Sequence, residues 1–427
     1  MPTSVVVTKS PSVLVCPATT PAASEHITLS SFDKALAFFP VKSFHIFTHA
    51  IDEPAETVRR ALSRALVHYF PVAGRLVVDG GELRIACTGE GVAFVAAAAS
   101  CSLDDVRLLD PPFGAAMLKE LAVGLGADDG FFCPADPLLL VQVTEFACGG
   151  FVVGVTRNHA IADGTGFAQF MQAVGELARG MPRPSVLPVS CGDDELPALP
   201  PSVAGIGKAL LTLQPQDFAY LDITVPSSCI SRIKAGYFAD DGPCTVIEAV
   251  IAVLWQSRMR AVMSDPAAPA PLIFPANVRK LVGTREGYYG NCITPAVVVP
   301  TSGEVANGSI HDVVKLIKRA KRPIPLHFRK ISESQEEASL PLADDGVMFG
   351  YNALDVTSWR NLGSDAVDFG GGRPARVMCV FDKMAVPYCV ACLPCREKDG
   401  ANVLAICVRE EHADAFRAEV AKLIGIS

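Results

Sequence analysis

The stretch VTRNHAIADGTGF, residues 155 to 167, ends an apolar run at His159 and sets Asp163 four positions later, directly before Gly164. Three arrangements share that spacing: a catalytic histidine with a helper, a pair of metal ligands, or a turn that contains both. The preceding residues, FVVGVTRN (151–158), read as a strand that delivers His159 to the end of a sheet. A histidine placed there can deprotonate a bound nucleophile, because its reference pKa of ~6.5 leaves much of it neutral near pH 7. AIADGTG then bends the backbone, and Asp163 is able to fix that bend. A core histidine hydrogen-bonded in a turn is the competing reading. A metal site needs a further ligand close by, and the segment has none. A serine-hydrolase reading fails because no G-x-S-x-G elbow occurs.

Working outward, LLLVQVTEF (138–146) and FVVGVTRNH (151–159) form a predicted hairpin around Cys148-Gly149-Gly150. FAQFMQAVGELARG (167–180) follows as an amphipathic helix ending near Gly180. Upstream, PAETVRRALSRALVH (54–68) carries Val58, Leu62, Ala65 and Leu66 at helical spacing, with Pro54 suited to a first helical position. YFPVAGRLVV turns through Pro71 and Gly74 into a strand, and ELRIACTGEGVAFVAAAA continues as short strands. Residues 181–215 change character: MPRPSVLPVSCGDDELPALPPS is rich in proline and is expected to form neither a stable helix nor a central strand. It reads as a linker between an N-terminal domain, 1–180, and a C-terminal domain, 216–427. Beyond it come strands in AYLDITV, APLIFPANV, NCITPAVVVP and GVMFGYNAL, helices in CTVIEAVIAVLWQSRMRAV and HDVVKLIKRAKR, and a final strand and helix over 402–425. Both halves mix strands and helices, so the fold class is α/β with mixed sheets.

The 427 residues are 50% hydrophobic and 19% charged, the balance of a well-packed globular protein. A net charge of -8 argues against a nucleic-acid partner, although an acidic chain can hold an anionic cofactor in a local basic pocket. The N-terminal residues lack the apolar segment of a signal peptide, and no run of ~18 apolar residues suggests a membrane span. A cytoplasmic, monomeric protein with no membrane partner is expected. The 14 cysteines are scattered, apart from CVACLPC with Cys389, Cys392 and Cys395. That apolar setting reads as a strand with Cys389 and Cys392 on opposite faces; buried free thiols are expected, and no metal.

A second stretch, DAVDFGGGRPARV (365–377), places three glycines between Phe369 and Arg373. Alone, they mean a flexible loop or a close backbone contact. A phosphate loop would lead into a helix, whereas Pro374 and ARVMCVF point to a strand. Taken together, HAIADG and DFGGG resemble the H-x-x-x-D-G and D-F-G-W-G signatures of the BAHD acyltransferases, the plant acyl-CoA-dependent family. The resemblance covers nearly the whole chain: LSSFDKAL (29–36) looks like the family's opening and LVHYFPVAGRL (66–76) like its first helix and turn. TVIEAVIAVLWQSRMRA is similar to its long C-domain helix, NVRK (277–280) to its N-x-R element and GYYGN (287–291) to its Y-F-G-N motif. The chain departs from the family at Gly371, where tryptophan is usual.

The resemblance implies two similar domains related to chloramphenicol acetyltransferase, with the active-site channel between them. His159 would be the general base, taking a proton from an acceptor hydroxyl or amine that attacks the thioester of an acyl-CoA co-substrate. No acyl-enzyme is needed, because alignment of nucleophile and thioester already accelerates transfer. No permanently bound cofactor is implied. Asp163 is expected to be structural and turned towards Arg279, and Asp368 to be a scaffold residue of its loop. Gly370 and Gly371 are expected to approach the acyl-transfer site. There the missing indole would leave space for an aromatic acceptor ring unless a neighbour fills it. Thr245, at the start of the long helix, is a candidate for a coenzyme phosphate and equally for an N-cap. The basic run KLIKRAKR (315–322) is another phosphate candidate or a solvated helix face. Residues 138–180 look most like the branch that transfers benzoyl, hydroxycinnamoyl or acetyl groups to alcohols and amines. An aromatic acyl group and a small aromatic acceptor are the expectation. Acetyl transfer to an alcohol, or a non-catalytic binding protein that kept the fold, are the alternatives.

Overall fold

Continuous apolar sequence suits a strand buried on both faces, and in the computed structural model Phe151–Asn158 is such a strand, all eight residues buried. The structure describes residues 6–19, 26–109, 115–125, 131–190, 196–239, 241–333, 345–380, 384–395 and 398–425. The chain divides into two compact units. One comprises Met1–Ala198, Gly283–Cys292 and Asn361–Phe381; the other comprises Leu199–Val282, Ile293–Arg360 and Asp382–Ser427.

In the first unit the large sheet is built around Pro40–Phe47 (β1), Leu139–Phe146 (β2), Phe151–Asn158 (β3) and Arg376–Val380 (β4). Its order runs Val7–Lys9, Val92–Ala99, β2, β3, β1, β4, and Val13–Val15 also pairs with Val92–Ala99. Among the described residues the one parallel pairing of this sheet joins Val92–Ala99 to β2; the others are antiparallel. The hairpin of β2 and β3 turns at Gly149, whose φ of 82° favours glycine. Helix Pro54–His68 (α1) begins with its proline and buries Val58, Leu62, Ala65 and Leu66. Helix Gly164–Ala178 (α2) buries Phe167, Phe170, Val174 and Leu177 in the same core. Arg64 of α1 clamps the C-terminal end of α2, its Nη1 donating to Leu177 O at 2.8 Å and its Nη2 to Met181 O at 2.6 Å.

The second unit holds a mixed sheet ordered Leu221–Val225, Ala401–Ile406, Tyr388–Cys392, Leu354–Ser358, Leu272–Asn277, Ile293–Val298. Helix Val246–Val262 (α3) is buried along most of its length, with Trp255 at its centre. The guanidinium of the buried Arg258 is satisfied by three carbonyls, those of Cys407, Asn352 and Tyr351. Cys389, Cys392 and Cys395 are buried. Among the described residues no helix is long and apolar enough to cross a membrane.

The structure corrects three sequence expectations. Residues 181–215 are not all irregular: Pro201–Thr212 is a helix, and its leading proline occupies a position where a missing N–H costs nothing. The boundary at 180/216 does not divide the chain cleanly, because Gly283–Cys292 and Asn361–Phe381 belong to the unit formed by the N-terminal half. Antiparallel pairing of β4 with β1, Arg376 opposite Ile46, helps hold the second segment there. Finally, GVMFGYNAL is not one strand. Asp345–Met348 is a short helix, and the strand begins at Leu354, where Val356 and Thr357 supply β-branched residues.

Candidate active site

Strand β3 ends at Asn158, whose side-chain oxygen accepts the N–H groups of Ala160 at 3.0 Å and Phe38 at 3.1 Å. That cap turns the chain into the single 3-10 turn His159–Ile161. The His159 N–H donates to Phe39 O at 2.9 Å, so the histidine backbone is tied to the segment entering β1. Its ring is partly exposed, and Nδ1 lies 3.0 Å from Asn291 Oδ1. The Asn291 amide nitrogen donates to His159 O and to Asp33 Oδ1, both at 2.8 Å. Those two acceptors orient the amide, so its oxygen faces the imidazole. An amide oxygen only accepts; His159 therefore carries its proton on Nδ1 and keeps the lone pair on Nε2.

Burial pushes the His159 pKa down to about 4, and the neighbouring Arg157 guanidinium adds to the effect. The ring is accordingly neutral at pH 7. Arg157 is itself buried, with its guanidinium carbon 4.5 Å from the Phe167 ring centroid, and burial lowers its pKa to about 10.

Asp163 is buried and caps α2: Oδ1 accepts Gly166 N–H at 3.0 Å. Oδ2 accepts Cys292 N–H at 3.1 Å. The carboxylate thus ties the start of α2 to the segment that carries Asn291, one residue away. Close packing of those pieces requires glycine at 166, because a Cβ there would stand 1.7 Å from Tyr289 O. Arg279 lies in the second unit, at the head of the short helix Arg279–Val282, with its N–H donated to Asn277 Oδ1 at 3.0 Å.

Asp368, Gly370 and Gly371 stand elsewhere in the first unit. Asp368 Oδ1 accepts Gly370 N–H at 2.8 Å and Gly372 N–H at 2.9 Å, which closes the glycine loop on itself. The loop sits on the C-terminal part of α2: Arg179 Nη1 donates to Asp368 O and lies 3.7 Å from Asp368 Oδ2. Backbone of Asp368 also crosses Gly175, where a Cβ would meet its carbonyl at 2.6 Å. Asp163 caps the other end of that helix, and a rise of ~1.5 Å per residue puts ~18 Å between Asp163 and the crossing at Gly175. Phe369 packs on Phe47, at 5.3 Å between centroids, and on Phe151, at the ends of β1 and β3 remote from His159. The expectation that Gly370 and Gly371 approach His159 is therefore corrected. Nor could a side chain start from Gly371 without meeting a neighbour. A Cβ on Gly371 would come 2.8 Å from Ile51 Cγ2 and 3.3 Å from Ala50 O.

Thr245 closes a capping box at the start of α3, its hydroxyl accepting Glu248 N–H at 3.3 Å and its own N–H donated to Glu248 Oε2 at 2.8 Å. That backbone N–H is committed and not offered to a phosphate. The buried Glu248 carboxylate also draws in Lys318 at 3.5 Å and Lys321, while Lys315 pairs with Asp312 at 2.9 Å and Arg322 with Asp241 at 3.4 Å. Much of the basic run is thereby neutralised within its own unit.

Sequence reasoning assigned no role to Asn291, Asp33 or Ser30. One signal was available in LSSFDKAL, where Ser30 and Asp33 have the spacing of a capping box. The box is present, and Asp33 Oδ1 reaches beyond it to Asn291.

Residues 5–423 match the family described as the Transferase family. The chain is 43% identical over 442 residues to acyl transferase 15 of Oryza sativa subsp. japonica, covering 98% of this chain and 99% of that one. It is 35% identical to the myricetin 3-O-glucosyl 1,2-rhamnoside 6'-O-caffeoyltransferase AT1 of Crocosmia x crocosmiiflora, again over 98% and 99% of the two chains. The fold resembles that of vinorine synthase, with a TM-score of 0.74 at 20% identity over 98% of each chain. It also resembles F. graminearum TRI101 complexed with coenzyme A and T-2 mycotoxin, with a TM-score of 0.65 at 16% identity, covering 92% of this chain and 97% of that one.

Proposed function

The chain belongs to the BAHD acyltransferases, and from that membership we propose that it moves an aromatic acyl group, benzoyl or hydroxycinnamoyl, from coenzyme A to a small aromatic amine or alcohol. The caffeoyl group in the name of the Crocosmia relative supports the hydroxycinnamoyl reading. One observation carries the catalytic part: the Nδ1 of His159 faces Asn291 Oδ1 at 3.0 Å, which leaves a lone pair on Nε2 of a neutral ring. Nε2 takes the proton of the acceptor O–H or N–H as that atom bonds to the thioester carbonyl carbon. The tetrahedral intermediate collapses with cleavage of the C–S bond, and the imidazolium returns the proton to the departing thiolate. The products are an ester or amide and free coenzyme A. A ring whose pKa is held at about 4 gives up that proton readily. Asp163 acts at a distance, by fixing Cys292 and with it Asn291.

The test is thiol release from benzoyl-, hydroxycinnamoyl- and acetyl-CoA by the purified protein with mixed alcohols and amines. Release that depends on acceptor and is fastest with aromatic donors is expected. Acetyl-CoA as the best donor would replace the aromatic reading, and release without any acceptor would make the protein a thioesterase. His159→Ala is expected to lower turnover by roughly 10²–10⁴-fold. Near wild-type turnover in the folded variant would remove His159 from the mechanism.

A further inference from the structure

We propose that Asp33 is a positioning residue that selects the His159 tautomer through Asn291, and so determines which imidazole nitrogen is free to act as a base. The inference rests on the reading of His159 as the general base.

An asparagine amide fits its site in two orientations that differ little in shape and are opposite in hydrogen bonding. Asp33 decides between them. Its Oδ1 already accepts the backbone N–H of Asn291 at 3.0 Å, a group that can only donate. The same oxygen accepts the amide nitrogen of Asn291 at 2.8 Å. With the amide reversed, its oxygen would face Asp33 Oδ1 and the His159 carbonyl, two acceptor–acceptor contacts in a buried setting. Its NH2 would then point at Nδ1 and stabilise the tautomer with the proton on Nε2, which has no lone pair there to take a proton from an acceptor. Ser30 fixes the carboxylate in turn, with its N–H at 3.2 Å and its hydroxyl at 2.6 Å from Asp33 Oδ2. Four donors thus converge on a carboxylate with almost no exposure to water, 6% for the residue. Burial raises the Asp33 pKa against the lowering effect of these bonds. Such a group is costly to bury, and a plain helix cap at the surface would not need it.

A merely structural role for Asp33 is distinguishable, because the site offers a route for rescue. A cavity of about 30 Å³ adjoins Asp33, lined also by Leu29, Ala160, Ile161, Tyr288 and Tyr289. Truncating Asp33 to alanine enlarges it towards Asn291 and makes room for formate, which restores a carboxylate with no link to the backbone.

The experiment uses the full chain with 15N-labelled histidine and long-range 1H–15N correlation, His159 being assigned by the signals lost in His159→Gln. The wild type should show Nδ1 protonated and Nε2 bare. In Asp33→Ala the pattern should move to the Nε2–H tautomer or a mixture. Turnover with acyl-CoA should fall about 10–100-fold while KM changes by no more than about threefold. Formate should restore both, and chloride neither. A wild-type Nε2–H tautomer overturns the proposal, even where Asp33→Ala does not fold. So does a folded Asp33→Ala that keeps the Nδ1–H pattern, or one whose losses formate leaves unchanged; Asp33→Asn is read by the same spectra. A tautomer that switches and is rescued while turnover stays constant sustains the Asp33 assignment and removes His159 as general base.

Discussion

A Cβ on Gly166 would lie 1.7 Å from the carbonyl oxygen of Tyr289, so the first turn of α2 meets the Asn291 segment through bare backbone. This approach lets Asp163 bond Gly166 and Cys292 at once and holds Asn291 against His159. Gly166→Ala should therefore force the two pieces apart. Overpacking of a close-packed site costs ~1–3 kcal/mol, and the urea midpoint should drop accordingly. Turnover of the variant that remains folded should fall as well, because Asn291 moves with the segment. An unchanged midpoint would mean that the approach is looser than the geometry has it.

Asp163→Asn separates support from chemistry. An amide matches the carboxylate in shape but replaces one oxygen by NH2, which then faces the N–H of Gly166 or of Cys292. Leaving one buried donor unsatisfied costs ~1–3 kcal/mol. The expected result is a lower urea midpoint together with lower turnover. Lost turnover at unchanged stability would instead assign Asp163 a direct part in proton transfer.

Sequence reached the local elements because their signals are local. Pro54 and the spacing of Val58, Leu62, Ala65 and Leu66 sufficed for α1, and the apolar run before His159 sufficed for β3. The site was legible only in part. The contact of His159 with Asn291 spans 132 residues of sequence, and that of Asn291 with Asp33 spans 258. No periodicity reports a hydrogen bond closed over such distances. Domain boundaries were missed for the same reason, since β4 pairs with β1 across more than three hundred residues of sequence, Arg376 opposite Ile46. The error at Gly371 was of another kind. Two motifs that belong to one family signature need not be close in space, and here α2 separates them.

The pH dependence follows from a His159 imidazole that its surroundings hold neutral. With the His159 pKa held at about 4, kcat/KM with an alcohol acceptor, which does not titrate in this range, should be flat between pH 6 and 8 and decline only well below pH 6. Stability responds in the same direction. His45, buried in β1, also has its pKa lowered to about 4 by burial. A lowered native pKa means that the unfolded chain, with its ordinary value of ~6.5, binds the proton first. This contribution is complete above pH 6.5 and is lost as pH falls towards 4. The melting temperature should decline over that window, and His45→Leu should make the decline shallower. An identical pH dependence in the variant would show that His45 is not a source of the acid sensitivity.

Gly371 offers a test of where its loop belongs. Its φ lies outside the left-handed region, so the backbone itself tolerates a side chain; the obstacle is the neighbour. Ile51 is partly buried against the core of the first unit, and its Cγ2 would stand 2.8 Å from a Cβ at 371. Gly371→Trp must therefore displace Ile51 and disturb residues 49–51, at a cost of ~1–3 kcal/mol typical of overpacking. Because ~18 Å of helix α2 separates this loop from Asp163, the acceptor should not sense the indole. The expected outcome is a lower urea midpoint, with the apparent KM for large aromatic and small acceptors changed by the same factor. Adding Ile51→Ala should recover part of the lost stability, a non-additivity that only residues in contact display. A selective penalty on large aromatic acceptors would place the loop beside the acceptor and overturn its assignment to the far end of α2.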